Sequence, residues 1–138
     1  MQLTSQHFQA AVAEDVRRLL EAFAHATPSV TLAVLTSADG FEIAAHPRGL
    51  STAQRLAAMS SSLQALSEAM AGEAGLEGIR NLVIESDGGT LIVLGVGKVT
   101  PRLSLTVVAK GDETLGRLLW ASRECCAFLE RRLLAAIG

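Results

Sequence analysis

VLTSADGFEIAAH, residues Val34 to His46, sets a short polar turn between two runs of mainly apolar residues, with Asp39-Gly40 at its centre. A second stretch is built the same way. LVIESDGGTLIVLGVG, Leu82 to Gly97, pivots on Asp87-Gly88-Gly89. An acidic residue in such a place has a local role, because aspartate tolerates left-handed backbone geometry and hydrogen-bonds its own main chain. Each turn is flanked by β-branched or alternating apolar residues, so each reads as the corner of a β-hairpin.

Working outward from these hairpins gives the order of elements. Upstream, Phe8, Val12, Val16, Leu19, Leu20 and Phe23 recur at helical spacing, and Pro28 follows as a stop signal. Val30 to Leu35 and Phe41 to Ala45 are the strands of the first hairpin. Ser51 to about Ala71 reads as a helix, with Ser51 and Gln54 at the S-x-x-Q spacing of a capping box. Gly72, Gly75 and Gly78 then dissolve it into a loop. Strands are expected at Asn81–Glu85, Thr90–Gly95 and Leu103–Ala109. The last helix is expected to start near Asp112, a good N-cap residue. Its stripe is Leu115, Leu118, Leu119, Ser122, Cys126, Leu129 and Leu133. The reading is α-β-β-α-β-β-β-α, one domain over residues 1–138.

The middle helix carries the most information. Leu56, Met59, Leu63, Leu66 and Met70 step by three and four, a heptad-like seam of large residues. About 100° around the helix lies a second stripe of small residues, Ala58, Ser62, Ala65 and Ala69. One account is an ordinary amphipathic helix whose alanines serve helix propensity. The sharper account gives the helix two jobs: the large residues pack on the sheet, and the small ones let another helix come close. Sheet geometry favours the second. Five strands about 4.8 Å apart make a sheet roughly 20–24 Å wide, and one helix covers only about 10 Å of it. The fourth strand, TLIVLG, is apolar on both faces, so it needs cover above and below. Three helices leave one face under-covered. A two-fold homodimer repairs that face.

Composition excludes several classes. The 138 residues are 49% hydrophobic and 19% charged, with a net charge of −2. No basic run exceeds two residues, which argues against a nucleic-acid footprint. No apolar run approaches the roughly 20 residues of a membrane span, and the N-terminal stretch has no export-signal pattern. Cys125 and Cys126 are adjacent and so point about 100° apart on a helix, a poor geometry for a bridge. The expectation is a reduced, cytoplasmic protein.

At this point the residues are similar to a known family. The element order resembles the roadblock superfamily, small α/β domains that include dynein light chains and bacterial regulators of Ras-like GTPases. So do AVLTSADGFEIAAH after the first helix, RLAAMSSSLQALSEAMAGEAG in the second and NLVIESDGGTLIVLGVG in the third and fourth strands. The resemblance spans about Val12 to Leu133. It implies a roadblock/profilin-like α/β fold of the α+β type: a five-stranded antiparallel sheet, the long second helix on one face, the first and third helices on the other. It further implies dimerisation through the second helix and the edge strand after it, giving a ten-stranded sheet. On this chain that surface is Ala58, Ser62, Ala65 and Ala69 together with Arg80, Leu82 and Ile84 of the edge strand Arg80–Glu85. An edge this apolar is an aggregation liability if left unpaired.

Catalytic motifs fail one by one. Gly95 to Lys98, GVGK, resembles the end of a phosphate-binding loop, but Ile92 stands where the first glycine is needed and Val99 where Ser or Thr is. Ser60-Ser61-Ser62 lies mid-helix without a nucleophile elbow. His7, His25 and His46 share no metal-ligand spacing with one another or with the cysteines. No acid–base pair converges, so no catalytic, cofactor or metal residue is assigned. Trp120 sits off the main stripe of the last helix. It either packs on the N-terminal helix or stands exposed as an anchor for a partner. Arg55 lies on the second helix between its two stripes and is a further candidate contact. The resemblance implies a non-enzymatic homodimer that binds and modulates a small Ras-like GTPase. A pure scaffold and a small-molecule sensor are the alternatives.

Overall fold

A computed structural model describes residues 6–97 and 102–137, with the side chains of 6–10 and of 137 left aside. Phe8's side chain, Lys98 of the GVGK stretch and the Val99 that follows it therefore lie outside the described residues. The elements are α1 (Gln6–Ala26), β1 (Val30–Thr36), β2 (Glu42–His46), α2 (Ser51–Glu73), β3 (Asn81–Ser86), β4 (Gly89–Gly95), β5 (Ser104–Lys110) and α3 (Leu115–Ile137). The five strands form one antiparallel sheet in the order β2-β1-β5-β4-β3. The two hairpins end up at opposite edges, with β5 inserted between them.

α1 and α3 lie together on one face, and α2 lies on the other over β1, β2 and β5. The α1/α3 side holds the main core. Val16, Leu20, Leu118, Leu129 and Leu133 meet Leu35, Ile92, Leu105 and Val107 of the sheet, all fully buried or nearly so. The expected stripes of α1 and α3 account for the helical half of this core. Cys125 and Cys126 join it as free thiols. Burial in apolar surroundings pushes both up to about 12, far from the thiolate range at neutral pH.

Two helix starts differ from expectation. α2 begins after Leu50 with no side-chain cap, so Ser51 and Gln54 form no capping box. Leu50 is in extended backbone, which shifts the N-cap one residue earlier and puts Ser51 inside the first turn. α3 starts at Leu115 rather than Asp112. Thr114 caps it, its hydroxyl accepting from the Arg117 N–H at 3.4 Å and its carbonyl from the Leu118 N–H at 3.0 Å.

The larger correction concerns α2. Of the expected large-residue seam, Leu56 packs half-buried against this side's core and Leu63 is half-buried, but Met59, Leu66 and Met70 are exposed. The buried positions are Ala53, Ala57 and Ser60, and Gln64 and Ser67 continue that line half-buried. Leu32, Val34 and Ala45 of the sheet meet Ala53 and Ala57 in a second, much smaller core. Ser60 and Thr106 share a buried hydrogen bond at 2.7 Å. Small side chains bring the helix close to the strands, and Met59, Leu66 and Met70 are left outside.

Candidate functional site

The site is built from the outer surface of α2 and the free edge of the sheet. Met59, Leu66 and Met70 are 64, 60 and 65% exposed. Beside them Ala58, Ser62, Ala65 and Ala69 are also exposed. Met59, Leu66 and Met70 thus share one outward face with the small stripe, while Leu56 and Leu63 of the large stripe are half-buried. Arg55 precedes Ala58 and Met59 by three and four residues, so it stands one turn before them at the head of the same face. Among the described residues its guanidinium reaches the hydroxyl of Thr52, at 3.4 Å.

The sheet extends this surface. Cross-strand partners share a face, so the register can be followed out from Thr106, which bonds to α2 through Ser60. Thr106 pairs with Val93 and Val93 with Leu82; Val108 pairs with Leu91 and Leu91 with Ile84. Leu82, Ile84, Leu91 and Val93 therefore share the α2 side. Val93 is buried, Leu82 and Leu91 are half-buried and Ile84 is half exposed. β3 has a ladder partner on one side only. Arg80, expected as the first residue of this strand, lies just before it and is exposed. Arg102 and Glu68, 2.7 Å apart, tie α2 to the start of β5 beside this surface.

The opening turn also belongs here, as support. Ser37 closes it by accepting at its hydroxyl from the Phe41 N–H at 3.0 Å, while its carbonyl accepts from the Gly40 N–H. The tip leans on α2, where the Ser61 hydroxyl donates to the Ala38 carbonyl at 3.1 Å. Gly40 has φ of +88°, and a Cβ there would lie 3.3 Å from that of Ser61 and 3.4 Å from the Cα of Ala58. Backbone geometry and the nearness of the helix both require glycine. At the second turn, a Cβ on Gly89 would collide with the Ala109 carbonyl oxygen of β5. The two turns are structural corners, and the first one braces α2.

Little in this surface resembles a catalytic centre. Among the described residues there is no cluster of three or more His, Cys, Asp or Glu able to hold a metal ion. The cleft between α2 and the β3–β4 edge, bordered by Gln64, Arg80 and Leu82, encloses only about 10 Å³. That is room for one water molecule at most. No described helix is long and apolar enough to cross a membrane. Trp120 is not part of this surface. It stands 68% exposed on the opposite side, beside α1 rather than under it.

Such an arrangement defines an α/β subunit whose most prominent surface is an uncovered apolar face suited to protein contact. The sequence matches the family model for the Roadblock/LC7 domain over residues 17–109, and the chain belongs to that family. Family members are regulatory or adaptor proteins rather than enzymes. The structure is similar to that of a Roadblock/LC7 domain from Streptomyces avermitilis, with 24% identity and a TM-score of 0.76. That match covers 86% of this chain and 97% of the other. MglB of Myxococcus xanthus matches with 15% identity and a TM-score of 0.77, over 100% of this chain and 98% of its own. The gliding protein MglB of Thermus thermophilus matches with 20% identity and a TM-score of 0.73, covering 87% of this chain and 89% of its own. No curated protein matches the sequence significantly.

Proposed function

We propose that this chain is a non-enzymatic regulatory subunit that dimerises through α2 and β3, and that the dimer binds and modulates a small Ras-like GTPase in the cytoplasm. The observation that carries the reading is the continuity of exposed apolar residues from α2 onto the free β3 edge. A residue such as Leu66 or Met70 contributes about 1.5–3 kcal/mol when fully buried. A monomer forgoes that contribution at Met59, Leu66 and Met70 alike. A two-fold contact puts α2 beside its copy, with Ala58, Ser62, Ala65 and Ala69 allowing close approach, and Arg80, Leu82 and Ile84 entering a continuous ten-stranded sheet.

The paired helices then offer a groove to the GTPase. Arg55 at the head of each helix is a candidate contact there. It is not assigned as a catalytic arginine: stimulation of hydrolysis is expected to come from repositioning the GTPase's own residues. The roughly 10 Å³ beneath α2 speaks against the small-molecule sensor, which needs a cavity on that side.

Two measurements test this. Light scattering on the purified chain is expected to give a dimer, and Ala65→Glu, which places a charge in the helix contact, a monomer with unchanged circular dichroism. A wild-type monomer, or an intact mutant dimer, refutes the interface. Pull-down and turnover assays with a candidate Ras-like GTPase test the partner. Binding in neither nucleotide state removes it, and binding without any change in turnover leaves a scaffold.

A further inference from the structure

The face opposite α2 carries a second apolar surface, independent of the proposed dimer contact. α1 and α3 pack side by side on the sheet. On its outer side their seam opens into a groove of about 370 Å³, in which Leu19 and Ala22 of α1 face Trp120 and Phe128 of α3. Trp120 is 68% and Phe128 53% exposed. An exposed tryptophan eight residues from an exposed phenylalanine on one helix is an unusual use of the two largest side chains of α3. Neither supports the core below.

The charge along this seam is uneven. Past Phe128 it continues into a concavity of about 430 Å³ edged by Arg18, Arg131 and Arg132, with Asp15 the one carboxylate. Arg132 reaches Asp15 at 3.5 Å, and Arg18 reaches Glu14 at 3.7 Å. Arg131 forms no ion pair among the described residues, and its guanidinium lies over the Phe128 ring at 4.7 Å. At the other end, past Trp120, the charged residues are Glu113 and Arg117, already paired at 3.2 Å. Glu124 stands on the rim between. One end leaves the Arg131 charge without an ion pair among the described residues, the middle is apolar apart from Glu124 on its rim, and the far end is paired.

We infer that this seam is a docking groove for an amphipathic α-helix of a partner protein, its apolar stripe on Trp120 and Phe128 and its acidic end beside Arg18, Arg131 and Arg132. The walls are two helices whose main-chain groups are bonded within themselves. An extended peptide would therefore bury its own N–H and C=O groups without partners, whereas a helix brings none unsatisfied. Eight residues of α3 rise about 12 Å, so the two aromatics match apolar residues about two turns apart on the incoming helix. A second copy of this chain fits less well. Packed parallel, it would set arginine against arginine; packed antiparallel, it would set the arginines against the already neutral Glu113–Arg117 pair. An acidic helix end is the complement the groove lacks. The groove and α2 lie on opposite faces of the sheet, so both can be occupied together.

Trp120 is the single tryptophan of the chain and reports on the groove directly. The experiment selects from a displayed library of helical peptides of about 18 residues. Each peptide has a fixed leucine stripe and ends randomised among Glu, Lys and Gln, and binders of Phe128→Glu are removed. Survivors are expected to carry Glu at one end. A synthesised survivor is expected to shift Trp120 emission to the blue with saturation. Its Kd should rise about tenfold or more in Arg131→Glu and in Phe128→Glu, with circular dichroism confirming both variants folded, and stay unchanged in Ala65→Glu. No survivors, survivors without charge preference or with Lys-rich ends, or equal binding to Arg131→Glu would each overturn the inference. So would Trp120 emission that shifts with protein dilution alone, since a second copy would then fill the groove, and so would displacement of the survivor by a proline-rich peptide.

Discussion

The sheet is packed by opposite means on its two faces. Toward α1 and α3 it meets leucines and valines, among them Leu20, Leu129 and Leu133, buried completely. Toward α2 it meets Ala53, Ala57 and Ser60, while α2 turns Met59, Leu66 and Met70 to the outside. The first face is a core in the ordinary sense, where burial of large side chains stabilises the fold. The second turns small residues inward and leaves Met59, Leu66 and Met70 exposed in the subunit. The same sheet thus separates a large-residue core from a face packed by small residues.

Mutations can break this contrast, compared at one protein concentration because association adds to apparent stability. The largest loss is expected at Leu129→Ala, where a cavity opens under α3: about 3 kcal/mol by urea unfolding. Ala57→Leu is expected to cost about 2 kcal/mol by overpacking, because α2 has no room for a larger residue against Leu32 and Val34. If Ala57→Leu is neutral, the close approach of α2 is wrong. Ser60→Ala should cost about 1 kcal/mol, since it leaves the buried Thr106 hydroxyl without its partner.

Much of this was legible in the sequence, and the failure at α2 is instructive. The stripes of α1 and α3 and the two Asp-Gly hairpins are correctly read because their apolar residues face their own core, as period-based reasoning assumes. In α2 that assumption holds for Leu56 but fails for Met59, Leu66 and Met70. The alanine and serine stripe at Ala53, Ala57 and Ser60 has no hydrophobic signature, whereas Leu66 and Met70 announce a buried face that the subunit does not contain. The small stripe at Ala58, Ser62, Ala65 and Ala69 is exposed beside Met59, Leu66 and Met70. The seam at Trp120 and Phe128 was only half visible. The oddity of Trp120 showed in the sequence, but its groove needs Leu19 and Ala22 from a helix about a hundred residues away in the chain.

An effect that vanishes at neutral pH sharpens the core side of the comparison. Both thiols have folded-state pKa values raised from 9.0 to about 12 by burial. Between those values the unfolded chain holds fewer protons than the folded one, so stability falls as pH rises. At pH 7 both states are protonated and no effect is expected. Thermal unfolding is expected to drop progressively above pH 9, less so in Cys125→Ser/Cys126→Ser, and native Cys125 and Cys126 should resist alkylation until the chain unfolds.

The inward placement of alanine and serine in α2 has a consequence for descent. Residues such as Met59, Leu66 and Met70 hold nothing together within their own subunit, so exchanging them costs the fold little, within about 0.5 kcal/mol for a typical surface change. Lineages can rewrite the outside of this helix, and with it the choice of companion, without first having to re-evolve a protein that folds.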